Sequence, residues 1–268
     1  MPQDSLIGFG TKAGTDVTLS QQPPSRASRS GWRRALSVAL ALILFVLALP
    51  YLVTPIYLIV NPVSMPMLWR YATNQPVRQT WLPLSEISPV LPRTVIASED
   101  ARFCQHRGVD WRSLKELLSE AEDLEDLRGG STITQQTVKN LFLWSGRSYV
   151  RKAIELPLSL WADLILGKRR IMEIYLNIAT WGPGAEFGAE AGAQRAFKTS
   201  ARDLDARQAA LMAAILPNPR RRSAGRPGPA VQRLASIYVA RANVAGIDSC
   251  LRRSPRVLNP SEFRKSGL

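Results

Sequence analysis

At 268 residues the chain has room for one enzyme-sized domain and an anchor, and is too short for two large catalytic domains. A formal charge of +14 first suggests a nucleic-acid ligand. Its distribution argues against one: residues 217–268 carry eleven Lys/Arg against two acids and contain no nucleic-acid-binding motif, so we read a basic skirt facing an anionic bilayer.

Residues 1–34 are rich in Ser, Gln, Pro and Gly without an apolar period, and read as a disordered cytoplasmic tail. Residues 35–60 follow as an uncharged apolar run, long enough to cross roughly 30 Å of hydrocarbon as a helix. Pro50 and Pro55 are placed to kink it or end it early. Arg26, Arg29, Arg33 and Arg34 precede this run, which orients the N-terminus to the cytoplasm and the rest outside. A cleaved leader would have a shorter apolar core, of about 7–15 residues. Cys104 and Cys250 then face an oxidising compartment; two cysteines allow one disulfide, and their spacing does not say whether they meet.

Residues 61–92 hold six prolines and read as a stiff, extended connection from membrane to domain. The apolar run that follows ends in Glu99-Asp100, with the single histidine, His106, shortly after. A buried acid at the edge of a cleft suits a general base, whereas a helix-end pair is the plainer reading. Residues 114–127 are acid-rich and read as a solvated helical face. Thr132-Ile133-Thr134-Gln135 fits a capping box and starts a helix. Thr132, Gln135, Gln136, Lys139 and Asn140 share one face of it, and Ile133, Thr134, Thr137, Val138, Leu141 and Phe142 the other.

A second helical pattern carries Arg147, Arg151, Lys152 and Glu155. With Lys139, these four cations suit a polyanion such as a diphosphate; the alternative is an ordinary solvated helix pair with an i,i+4 ion pair. Pro157 is expected to kink this helix. A helix through residues 170–178 presents Glu173 and Asn177 four apart, with Glu173 read as scaffold. Residues 206–216 form an Ala-rich helix, and one more helix is expected near 231–245.

Taken together, five stretches resemble the signatures of the peptidoglycan glycosyltransferases, glycosyltransferase family 51. Glu99-Asp100-Ala101-Arg102-Phe103 with His106-x-Gly108-x-Asp110 is similar to the first, and residues 130–136 with Lys139-Asn140 to the second. Arg151-Lys152-x-x-Glu155 resembles the third, residues 170–177 with Gly182-x-Gly184 the fourth, and residues 209–219 the fifth. About 50 residues remain after these and lack Ser-x-x-Lys, so the chain resembles the monofunctional biosynthetic branch, without a transpeptidase domain.

The resemblance implies an all-α, lysozyme-like bilobal domain over residues 93–222, followed by a basic, partly helical segment over 223–268. It implies polymerisation of lipid II into glycan strands, with inversion and release of undecaprenyl diphosphate, at the bacterial inner membrane. Glu99 would be the base, and Lys139, Arg147, Arg151 and Lys152 would hold the diphosphate. Glu155 would orient those cations or help carry a divalent ion such as Mg or Mn, no cofactor being permanently bound. Asp100, Phe103, His106, Thr132 and Gln136 would contact substrate. Implied partners are lipid II, the undecaprenyl-diphosphate-linked glycan, the bilayer and other wall-synthesis proteins. A lytic enzyme of peptidoglycan and a silent membrane scaffold are the rival readings.

Overall fold

The computed structural model describes residues 27–120, 130–144, 146 and 148–252. Expectations about residues 1–26, residues 121–127 of the acid-rich run, Arg147 and residues 253–268 fall outside them.

Helix α1 spans Ala27–Val53, and one stretch of it, Gly31–Leu58 with the turn that follows, is long and apolar enough to cross a membrane. It starts ahead of residue 35, correcting the expected tail boundary. The physical reason is that helix propagation is cheap once an apolar run has nucleated it, and arginine is a good helix former. Its end is set by proline. Pro55 has no amide for the carbonyl of Tyr51, and the α-helix tightens into a 3-10 turn over Thr54–Leu58. That carbonyl instead accepts the Trp161 indole N–H at 3.1 Å.

Residues from Ala48 onward form one compact unit. It comprises α2 (Met65–Ala72), α3 (Val90–Glu99), α4 (Trp111–Glu120), α5 (Ile133–Phe142), α6 (Tyr149–Ile178), α7 (Ala189–Phe197), α8 (Ala206–Ile215) and α9 (Pro229–Ala242). Among the described residues the only sheet is a two-residue parallel ladder of β1 (Arg78–Gln79) on β2 (Glu186–Phe187), so the fold is all-α as read from the sequence.

The expected stiff connection over 61–92 is corrected. Pro66 sits in the first turn of α2, where its missing amide costs nothing. Met67, Leu82, Leu84, Ile87 and Leu91 are buried in the domain core. Backbone groups of the 79–84 stretch are tied down from α6: Asn177 accepts from Leu82 N and donates to Leu82 O, and Glu173 accepts from Leu84 N at 2.9 Å. Glu173 is therefore scaffold. The C-terminal side is corrected likewise, since α9 packs on α3 and α8 instead of trailing from the domain.

At the centre lies α8, whose residues Ala209 to Ile215 are all buried; its alanines let α3 and α9 approach closely. Helix α5 lies along α6. Helix α6 runs on through Pro157, and its break comes at Gly167 (φ 68°, ψ 162°), where glycine enters the left-handed region without a Cβ penalty. A disulfide joins Cys104 to Cys250, with Cα atoms 5.3 Å apart across a sequence separation of 146.

Candidate active site

Helix α3 buries Leu91, Val95 and Ile96 and ends on Glu99, which stays partly exposed. The next residue leaves the helix: Asp100 has φ −161°, ψ 72° and turns its carboxylate onto the first amide of α5, Ile133 N, at 2.9 Å. An anion there is favoured by the helix dipole and by unsatisfied first-turn amides. His106 Nε2 meets the same carboxylate at 2.9 Å. The end of α3 is thereby locked to the start of α5.

The start of α5 is the capping box expected from sequence, with Thr132 accepting from Gln135 N and the Gln135 side chain accepting from Thr132 N. The Thr132 hydroxyl also donates to Gly108 O at 2.6 Å. Gly108 has φ +76°, and a Cβ there would lie 2.4 Å from Ser159 O on α6. The first signature thus needs this glycine because α6 passes directly over it.

One turn into α5, Gln136 Nε2 donates to Glu99 Oε2 at 2.9 Å. The Tyr175 hydroxyl donates to Gln136 Oε1 at 3.1 Å, which turns the amide N–H toward Glu99. Burial pushes the Tyr175 phenol well up, with the Glu99 and Asp100 charges adding to it, so it remains a donor. Burial also raises the Glu99 carboxyl above the usual range. The Gln136 amide, Lys139 and Arg222 pull the other way without overcoming it. A carboxylate so placed takes up a proton more readily than a solvated one.

The next turn brings Lys139, whose ammonium is lowered by burial and by Arg151 and Lys152, and held up by Glu155 and Glu99. This lysine senses both acids. Glu155 is buried on α6, and its two oxygens accept from Arg151 Nη1 and Lys152 Nζ, each at 2.6 Å. Lys152 also donates to Ser131 Oγ at 2.8 Å, and Arg151 to Gly146 O at 3.1 Å. Arg151 and Lys152 are thus bonded to one buried carboxylate, whose charge also holds up the Lys139 ammonium.

Not every expected residue belongs to this cluster. Phe103 is fully buried in the core, under Lys168, whose ammonium lies 4.5 Å from the ring centroid. Thr132 is buried with its hydroxyl committed to the cap, and His106 Nε2 is committed to Asp100. These four support the site instead of lining it: Phe103 packs the core, Asp100 ties the end of α3 to the start of α5 with His106 Nε2 on the same carboxylate, and Thr132 ties α5 to Gly108. A divalent ion does not fit at Glu155, since both oxygens already face cations. The grouping of Asp100, His106 and Asp110 is no better: Ile133 N occupies the first acid, and Arg102 and Ser113 the last.

Sequence reading missed three contributors. Tyr175, Ser131 and Arg222 stand inside or beside recognised stretches, but their partners Gln136, Lys152 and Glu99 are distant in sequence, so spacing gave no signal.

Comparison with known proteins shows which family the whole chain resembles. Residues 67–242 match the family described as Transglycosylase. The biosynthetic peptidoglycan transglycosylase of Nitrobacter winogradskyi is 58% identical over 218 residues, covering 81% of this chain and 96% of the relative. That of Rhodopseudomonas palustris is 55% identical over 228 residues, covering 85% and 97%. The Agrobacterium fabrum protein of the same name is 50% identical over 206 residues, covering 76% and 91%.

Proposed function

Since the chain belongs to the transglycosylase family, we propose that it extends peptidoglycan strands from lipid II, a disaccharide-peptide carried on undecaprenyl diphosphate. Glu99 removes the proton of the acceptor's 4-hydroxyl. The freed oxygen attacks the donor's anomeric carbon from the face opposite the diphosphate. The bond from that carbon to the diphosphate oxygen breaks with its electron pair on oxygen. Lys139, Arg151 and Lys152 neutralise the charge that builds there, and undecaprenyl diphosphate leaves. One displacement inverts the anomeric centre without a covalent sugar on the enzyme. Glu155 keeps Arg151 and Lys152 aimed, and Gln136, itself held by Tyr175, keeps Glu99 oriented.

The observation carrying this reading is geometric: Gln136 of α5 holds the partly exposed Glu99 at 2.9 Å, and on α6, which lies along α5, Arg151 and Lys152 both bond the buried Glu155 at 2.6 Å. A base and an anion seat belong together in transfer from a diphosphate donor; cleaving a finished strand needs no such seat. The apolar span beginning at Gly31, with arginines before it, supports a single-pass anchor in the inner membrane with the domain outside. The disulfide supports an oxidising compartment for that domain.

The test is gel-resolved product from purified lipid II. Glycan ladders are expected from the unaltered chain, and from Glu99→Gln a yield lower by about a hundredfold or more. Shortening of purified sacculi without ladders would favour a lytic enzyme.

A further inference from the structure

A short 3-10 turn, Ser249–Leu251, follows α9 and lies outside residues 67–242 of the family match, yet two helices and a loop of the domain are fastened to it. Leu251 is buried in the core, with Ile247 and Cys250 packed beside it. Asp248, just ahead of the turn, pairs with Arg93 of α3 at 3.8 Å. Cys250 is joined by the disulfide to Cys104, in the loop after α3. The Leu251 carbonyl accepts from Arg169 Nη1 of α6 at 2.7 Å.

Glu99 lies between the first two attachments. Arg93 stands before it on the same helix and Cys104 shortly after it, so one turn grips residues 93–104 at both ends. Little slack separates the disulfide from Glu99: Asp100 N bonds Ile96 O at 3.0 Å, and Phe103 N bonds Asp100 O at 2.9 Å. Phe103 is itself fully buried under Lys168, the neighbour of Arg169 on α6. A displacement of Cys104 is therefore passed to the end of α3. A bond serving stability alone could join any two distant segments, whereas this one converges on the helix end that carries Glu99.

We propose that the turn Ser249–Leu251 is a positioning clasp for Glu99, and that transfer depends on the Cys104–Cys250 bond being closed. The inference rests on the function proposed above. Cys104, Cys250 and Arg169 are positioning residues, acting through the end of α3. Opening the bond takes a dithiol, whose two sulfurs close into a disulfide while their electrons and protons pass to Cys104 and Cys250, which become thiols.

The experiment follows glycan formation from lipid II by the full chain in three forms: oxidised, reduced with dithiothreitol, and as the double variant Cys104→Ala/Cys250→Ala. The temperature is one at which circular dichroism reports unchanged helix content. In both open forms kcat should fall about ten- to a hundredfold, as a small misplacement of a reacting group gives, with KM for lipid II little changed. The second readout is the acid limb of the kcat/KM profile. Burial keeps the Glu99 carboxyl raised, and opening the bond alters none of the charged groups facing it, Asp100, Lys139 of α5 and Arg222 after α8. The raised phenols of Tyr175 on α6 and Tyr238 on α9 stay neutral throughout that range. A loosened helix end admits water to Glu99, so the limb should move to lower pH. An inactive fraction of chain lowers kcat without moving the limb; that result leaves the disulfide a stabilising role only and overturns the clasp. Where the open forms do not hold their helices, Arg169→Ala decides, since it keeps the bond and removes only the grip on α6: a limb moved to lower pH supports the clasp, and an unmoved limb overturns it. Equal kcat in the oxidised and open forms overturns the clasp alone. Absence of glycan from the oxidised chain overturns the enzymatic reading and the clasp with it.

Discussion

Glu99 combines partial exposure with a carboxyl that burial has raised, and its neighbours decide how far. In the folded chain its pKa lies above the unfolded value, so folding disfavours the ionised form. That cost develops as pH rises from the ordinary glutamate range through the raised value, and is fully present above it. Glu99→Gln removes it, so in neutral buffer the thermal midpoint should hold or rise even as glycan formation collapses; a lower midpoint would mean the carboxylate is structural. Lys139 lowers the same carboxyl. Lys139→Met should therefore move the acid limb of the kcat/KM profile to higher pH and also weaken donor use. A shift of that limb to lower pH would contradict the pairing.

The end of α3 meets the start of α5, α5 lies along α6, and these junctions are where the signature residues are used. Thr132 serves the cap of α5 and the carbonyl of Gly108 together. Thr132→Ala should cost about 1–2 kcal/mol in urea denaturation, the range for a lost cap. Gly108→Ala should cost more, about 2–5 kcal/mol, because the left-handed backbone and the Ser159 carbonyl at 2.4 Å both resist a Cβ. Activity should fall along with stability in that variant, since Ser159 lies one turn beyond Glu155 on α6 and its hydroxyl bonds the Glu155 carbonyl at 2.6 Å.

Across the domain from Ala48 onward, the Cys104–Cys250 disulfide fastens the loop that follows α3 to the turn after α9. Closing so long a loop restrains the unfolded chain strongly. Reduction, or Cys250→Ser, should lower the unfolding free energy by about 2–5 kcal/mol, read as a fall in denaturation midpoint. The apolar segment is secured at the same level of organisation. Arg170 donates to Tyr57 O and Val60 O and pairs with Glu173, so the chain leaving the apolar span is tied to the helix that holds the 79–84 stretch.

The order of short-range events was written in the chain itself. The capping box at Thr132, the Ala-rich run of α8, the apolar span and the helix near residue 231 were all legible, because capping and helical periodicity involve residues within a turn or two of each other. Which side chains meet was decided only by the tertiary structure. Phe103 sits in a signature yet lies in the core, residues 61–92 read as a proline-rich connection yet pack against α6, and Arg222 reads as part of a basic run yet acts on Glu99. Burial and charge coupling depend on partners far away in sequence, and those partners come within reach only after the helices have packed.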